Sequence, residues 1–327
     1  MTKPLRWGIL GTGWIADLFV ADLQLTGHRV SSVGSRTQAG AARFAERFGL
    51  ANAHGSYDSL LADASVDIVY VATPHPMHAS NAIAALNAGK HVLMEKPFTV
   101  NAAEARAVVD LAQARQLVVL EAMWTRFLPH MRRIRELIAS GALGTVYSVV
   151  ADHTRDLPDD PKHRLNALEL GGGALLDLGI YPISFAWDIL GQPQDITSMA
   201  RFKATGADAE VATVFRHAGG ALSTTICSSD NAGRNVASIL GTEARIDIDA
   251  DWYTPTSFSV LDSENRLIER FVSEVPGRGM QFQADEIERL VAAGRLAGEI
   301  LPPEESVAIM QTLDAIRAQI GLRYPGE

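Results

Sequence analysis

The stretch that leaves this chain the fewest choices is residues 5–37, LRWGILGTGWIADLFVADLQLTGHRVSSVGSRT, which reads as strand, glycine turn, helix, strand. Gly11, Gly13 and Ala16 fit G-x-G-x-x-A where an apolar run gives way to a helical segment, and a second strand follows at β-α-β distance. The spacing has a mechanism. The first glycine permits a tight turn, the second keeps a side chain away from a pyrophosphate, and the small alanine lets helix and strand pack closely. The N–H groups left over at the helix start face the phosphates. Gly11, Thr12, Gly13, Trp14 and Ile15 are therefore the expected dinucleotide cradle.

The close of the second strand bears on which dinucleotide. An NAD site usually places Asp or Glu there to accept from the ribose 2′-hydroxyl, whereas this chain has Gly34-Ser35-Arg36-Thr37. A guanidinium offers two parallel N–H groups to a phosphate, and a carboxylate would repel one. Ser35, Arg36 and Thr37 thus favour NADP over NAD. The alternative is that Arg36 only opens the next helix in solvent.

Length and charge narrow the class. A chain of 327 residues suits two domains, and 47% hydrophobic residues supply a sizeable core. The net charge of −9 argues against a nucleic-acid or anionic-membrane partner. Cys227 is the only cysteine, so neither an intrachain disulfide nor a thiolate metal cluster can form. Asp17 and Asp22 interrupt the first apolar run too early for a signal peptide, and no 18-residue apolar span is expected to follow. A soluble, cytoplasmic protein is the simplest expectation.

Residues 66–73, 91–94 and 117–120 are apolar runs of strand length, as expected of parallel strands covered on both faces. Helices are expected at 38–48, 78–88 and 101–115, the last with Asn101 as N-cap and Glu104 three residues on. The alternation predicts an α/β fold in which residues 1–122 form a Rossmann domain with a doubly wound parallel sheet. Residues 123–327 change character. A helix at 126–140, a strand at 145–154, a polar loop at 155–169 and a β-rich stretch at 196–248 predict an α+β domain with an open, largely antiparallel sheet. Helices at 280–293 and 304–320 close it.

Ligands of such parallel sheets lie beyond the carboxyl ends of the strands, where Thr73-Pro74-His75, Glu95-Lys96-Pro97 and residues 121–124 stand. Lys96 could stabilise a substrate oxygen whose charge changes, or could be a solvated strand-end lysine. His75 and His78 lack a third ligand, and no ligand spacing supports a metal in the acidic loop of Asp156, Asp159, Asp160 and His163, so no metal is expected. Residues 171–183, GGGALLDLGIYPI, read as a helix in which Asp177 and Tyr181 share a face, with Gly179 leaving room for a ligand. Pro182 would free the Leu178 carbonyl and loosen that helix. A tyrosine hydroxyl can exchange a substrate proton; an ordinary buried helix is the competing reading.

With these residues assembled, the chain resembles the glucose-fructose oxidoreductase / inositol dehydrogenase (Gfo/Idh/MocA) family. GTGWIA, SSVGSRT, VATPHPMH, HVLMEKPF and GGGALLDLG occur in that family's order and spacing across nearly the whole length. The resemblance implies a Rossmann domain, an α/β domain with an open sheet, and nicotinamide-dependent oxidation of sugars, polyols and related alcohols. It makes Lys96 the catalytic lysine, beside a cis peptide to Pro97, and Asp177 the substrate-site aspartate. Tyr181 stands where many members have histidine. The dimeric dihydrodiol dehydrogenases and NADP-dependent D-xylose dehydrogenases have tyrosine there, and LEAMWTRFLP and a closing IGLRYP point to the same branch. In that branch tyrosine is the general acid/base, so Tyr181 would exchange the hydroxyl proton, Lys96 would stabilise the oxyanion and lower the tyrosine pKa, and Asp177 would orient Lys96 or the substrate. Trp124, Arg164 and Trp252 would shape the substrate pocket, and the open sheet would form a homodimer. The rivals are a nicotinamide-sensing regulator and a redox-assisted glycosidase.

Overall fold

The computed structural model describes residues 4–325, and the chain divides into two compact units. The first holds six strands, β1 (Arg6–Leu10), β2 (Arg29–Gly34), β3 (Asn52–His54), β4 (Ile68–Val71), β5 (His91–Glu95) and β6 (Val119–Ala122), in the order β3-β2-β1-β4-β5-β6. Every pairing is parallel. That is the doubly wound arrangement expected of a strand-helix alternation, and its order reverses between β1 and β4, where such sheets bind their ligands. All four residues of β4 are buried, as a strand covered on both faces must be. Between the strands run α1 (Trp14–Leu25), α2 (Gln38–Phe48), α3 (Tyr57–Leu61), α4 (His78–Asn87) and α5 (Ala102–Arg115). Their starts follow from side-chain caps: Thr37, Ser56 and Asn101 each accept the N–H three residues on. Phe19 of α1 stacks on Tyr70 of β4 with ring centroids 3.9 Å apart, fixing helix to sheet.

The first unit also takes in residues 276–307, which the sequence pattern counted with the second domain. The reason lies in tertiary pairing that local periodicity does not carry. Glu288 of α8 (Gln281–Ala292) accepts the indole N–H of Trp7 at 2.7 Å and bonds His28 at 2.9 Å, while Ser306 donates to the buried Glu121 at 2.7 Å.

The second unit, residues 125–275 and 308–325 of those described, is built on an eight-stranded sheet. Its strands are β7 (Val146–Thr154), β8 (Pro193–Phe202), β9 (Asp208–His217), β10 (Leu222–Ser228), β11 (Ala237–Gly241), β12 (Ala244–Ile248), β13 (Phe258–Asp262) and β14 (Leu267–Phe271). They run in the order β14-β13-β12-β11-β7-β10-β9-β8, antiparallel except for β7 against β10. Burial alternates along β9 and β10, the period of a sheet with one covered face. The covered face carries α7 (Ile180–Leu190), part of a Leu168–Leu190 stretch that, against expectation, is long and apolar enough by composition to cross a membrane; it is 83% buried within the protein, as the core helix under a sheet must be. The helix α6 (Pro129–Ala139) precedes the sheet, and α9 (Pro303–Ile320) closes the chain.

Candidate active site

In the first unit the fingerprint turn has the geometry its glycines require. Gly11 has φ +113° and donates to the Gly34 carbonyl at 3.0 Å, and a Cβ there would lie 2.7 Å from the Ala72 carbonyl oxygen. Only glycine fits. Around Gly13 a Cβ would meet nothing within 4 Å, and as N-cap of α1 it brings no side chain to the helix N–H groups. Open space above unpaired donors is what a pyrophosphate needs. The residues present therefore fit a dinucleotide, with Gly11 to Ile15 as its cradle.

At the end of β2, Ser35 is buried 3.4 Å from the Thr12 hydroxyl, and Arg36 is exposed. Arg36 lines a cleft of about 290 Å³ with Ser56, Tyr57, Asp58, Leu61 and Asn81. Burial pushes the Tyr57 phenol up, partly offset by the charge of Arg36. Sequence reasoning missed Ser56, Tyr57, Asp58 and Asn81, because only the fold brings the starts of α3 and α4 beside the end of β2. Thr37 is the N-cap of α2, its hydroxyl oxygen accepting from Gly40 N–H at 3.1 Å. That oxygen is committed to the helix.

The strand-end groups are held by buried side chains. His78 is fully buried, with Nε2 2.8 Å from the Thr73 carbonyl and Nδ1 2.8 Å from the Pro97 carbonyl. Burial pushes its pKa down, so the neutral ring has one N–H and serves these two carbonyls one at a time. It ties the loop after β4 to the turn after β5, while Asn81 of α4 holds the same loop to its helix by donating to the Thr73 hydroxyl at 3.0 Å. His75 packs edge-on against His78 at 5.6 Å. Lys96 is half-buried and precedes a cis peptide to Pro97. Two buried carboxylates brace its turn: Glu95 accepts from the Tyr70 hydroxyl and from Lys96 N–H at 3.1 Å, and Glu121 accepts from Phe98 N–H at 3.0 Å. Trp124 follows β6, 5% exposed.

In the second unit the expected regular helix is interrupted. Residues Leu175–Gly179 form a π-helical turn leading into α7, so Asp177 and Tyr181 are not separated by an ordinary α-turn. Pro182, which lacks an N–H, stands three residues beyond it. The space over Gly179 is not open either: a Cβ there would lie 2.9 Å from the Cys227 sulfur. Gly179 serves close packing of the π turn on β10 and leaves no room for a ligand. Gly173 (φ +134°) lets the segment approach the buried Asp208, which accepts Leu175 N–H at 2.6 Å. Burial raises the Asp208 carboxyl to about 6.

The structure brings Arg164 and Asp177 together at 3.2 Å. Tyr181 lies in an aromatic group, its ring centroid 4.9 Å from His153 and 5.4 Å from Tyr253, while His153 and Tyr253 stack at 3.8 Å. Trp252 is not among the groups facing a ligand. It is fully buried, donates its indole N–H to the Asp152 carbonyl at 2.7 Å and packs on Phe185, so it belongs to the core. Its neighbour Tyr253, rather than Trp252, lies against the Tyr181 ring. Burial pushes the Tyr253 phenol up to about 12 against the opposing pull of Arg155, whose Nε donates to the Tyr253 hydroxyl at 2.9 Å. Tyr253 thus stays protonated at working pH. No group of three or more His, Cys, Asp or Glu among the described residues could hold a metal.

Residues 5–123 match the model of an oxidoreductase family with an NAD-binding Rossmann fold, and residues 131–247 match the GFO/IDH/MocA C-terminal domain. The chain belongs to the Gfo/Idh/MocA family. Within it, the D-xylose 1-dehydrogenase (NADP(+)) of Hypocrea jecorina is 35% identical over 98% of this chain and 93% of its own. The trans-1,2-dihydrobenzene-1,2-diol dehydrogenase of Mus musculus is 33% identical over 98% of both. A 3-ketoreductase from Actinomadura kijaniata, solved with NADP and TDP-benzene, superposes with a TM-score of 0.86 at 27% identity, covering 97% of this chain and 98% of that one. The Gfo/Idh/MocA assignment makes the chain an oxidoreductase.

Proposed function

We propose that this enzyme moves a hydride between NADP and a secondary alcohol or hemiacetal carbon of a sugar, polyol or trans-dihydrodiol. The observation that carries the reading is the open, uncapped start of α1 above Gly13, joined in the same unit by a cleft in which Arg36 offers a guanidinium to a 2′-phosphate. Relatives named for NADP and for xylose or dihydrodiol oxidation support it.

Gly11 to Ile15 would hold the pyrophosphate, and Ser35, Arg36 and Tyr57 the adenosine end. When bound, NADP supplies the nicotinamide carbon that takes or gives the hydride. In the second unit Tyr181 Oη is the group that would exchange the proton of the substrate hydroxyl; in the first the Lys96 ammonium is the group that would stabilise an oxygen as its charge grows. Asp177, already bonded to Arg164, orients the substrate's hydroxyls. Tyr253, protonated and stacked on His153, limits how the Tyr181 ring can turn.

A second copy of the chain is the proposed partner. Val150, Met199, Val214, Leu222 and Ile226 project from the open sheet face, where a groove of about 370 Å³ runs between the strands. An apolar face of this kind marks an interaction surface. A single free, buried Cys227 is consistent with a reducing cytoplasm.

The test is formation of reduced nicotinamide by the purified protein with aldoses, polyols and trans-dihydrodiols, run with NADP and with NAD. Turnover favouring NADP is expected; tight NADP binding with no turnover on any of them would overturn the reading.

A further inference from the structure

Residues 276–280, Pro-Gly-Arg-Gly-Met, form the loop that leads into α8. Its backbone is fixed by the buried Asp22 of α1, whose carboxylate accepts Arg278 N–H at 3.0 and 3.1 Å and Met280 N–H at 2.9 Å. A Cβ on Gly277 would lie 2.3 Å from Asp22 Oδ1, so the loop can wrap this closely only where the side chain is absent. The side chain displayed by this rigid loop is a cation. The guanidinium carbon of Arg278 stands 5.7 Å from the centre of the Trp14 ring and 5.4 Å from that of Trp124. Trp14 is the first residue of α1, and Trp124 follows the end of β6, so the charge lies at the carboxyl edge of the parallel sheet.

Two ring faces stabilise a cation but accept none of the in-plane N–H bonds that make a guanidinium a fork. Nε of Arg278 is buried with no hydrogen-bond partner, and no carboxylate among the described residues pairs with the side chain. Other arginines of this acidic chain do pair, among them Arg126 with Asp188 and Arg133 with Glu269. A buried charged donor left unmatched is costly, and here it stands beside the helix start that already favours an anion. We propose that Arg278 is an anion-binding residue of the Rossmann unit, taking a phosphate or carboxylate oxygen of a bound ligand. The inference rests on the dinucleotide reading of the fingerprint. The anion is either the cofactor diphosphate or an acidic group on the substrate.

The test compares the wild-type enzyme with Arg278→Leu and Arg278→Lys by tryptophan-fluorescence titration with NADP, and by KM for a neutral aldose and for the corresponding sugar phosphate or aldonate. A phosphate of the cofactor as the ligand predicts about ten- to hundred-fold weaker NADP binding for Arg278→Leu, with Arg278→Lys in between. An acid on the substrate predicts unchanged NADP binding and a rise in KM confined to the acidic substrate, which upholds the proposal and names its source. Wild-type binding of NADP together with unchanged binding and KM values in both variants overturns it, as does an equal loss in both variants matched by a fall in melting temperature. A wild type that binds no NADP would instead overturn the dinucleotide reading, and this inference with it.

Discussion

The two units present their candidate residues in different ways. In the first they are mostly backbone: N–H groups above Gly13, a turn that Gly11 alone can make, carbonyls tied down by His78. The Gly11 turn and the N–H groups above Gly13 lie within a few residues of one another in sequence, because one turn makes the cradle. In the second, Tyr181 is framed by rings from two separated places, His153 at the end of β7 and Tyr253 beyond β12. A backbone site can be written as a motif; a site made of packed rings is written only in the tertiary fold.

The comparison breaks most sharply at the chemistry. Tyr181→Phe keeps the ring and its packing but removes the proton carrier, so kcat is expected to fall about 10²- to 10⁴-fold with NADP affinity unchanged. Lys96→Met should likewise lower kcat far more than it weakens NADP. Steady-state kinetics alongside a direct binding titration checks both. If Tyr181→Phe instead loses NADP affinity with kcat intact, the division of labour between the units is wrong.

A smaller effect separates packing from chemistry in the second unit. Gly179→Ala would drive a methyl to 2.9 Å from the Cys227 sulfur, and overpacking of this kind costs about 1–3 kcal/mol. Cys227→Ala should recover much of that loss in the double variant, which urea unfolding of the four proteins would measure. A glycine reserved for ligand space would show neither the loss nor the recovery. This pair also marks where the sequence stopped being legible. The glycines, Asp177 and Tyr181 stand out in GGGALLDLGIY, but that spacing cannot say that the segment is π rather than α, nor that β10 brings Cys227 under it. Trp252 failed for a related reason: an isolated tryptophan carries no sign of whether it faces a ligand or the core. In the first unit the Asn101 cap was legible, because strand, turn and cap are local events, whereas the short β3 and the membership of residues 276–307 were not.

The cofactor end sharpens the comparison further. Arg36→Leu is expected to raise KM for NADP about ten- to hundred-fold while leaving KM for NAD nearly unchanged, since it removes a charge-assisted contact to a group NAD lacks. Tyr57→Phe, on the same cleft, should act on both dinucleotides alike and less strongly. Equal losses for NADP and NAD in Arg36→Leu would place the guanidinium away from the 2′-position.

The smallest expected effect is on stability, and each unit carries its own pH-sensitive group. Burial alone would lower the pKa of His28, but its hydrogen bonds to Asp285 and Glu288 outweigh that and raise it to about 9. A folded-state pKa above the unfolded value near 6.5 gives stability fully present below pH 6.5 and lost as the pH climbs through 9. Asp208 in the second unit is also raised, to about 6 from near 4, by burial opposed by the N–H groups of Leu175 and Ala174. Its contribution is complete below pH 4 and gone above 6. Both groups therefore favour the folded state toward acid, in windows that do not overlap. Chemical unfolding followed from pH 4 to 10 should show two separate declines. Asp208→Asn should remove the lower one and His28→Gln the upper, each leaving the other in place. Loss of both declines in either variant would mean that the two units share one cooperative titration.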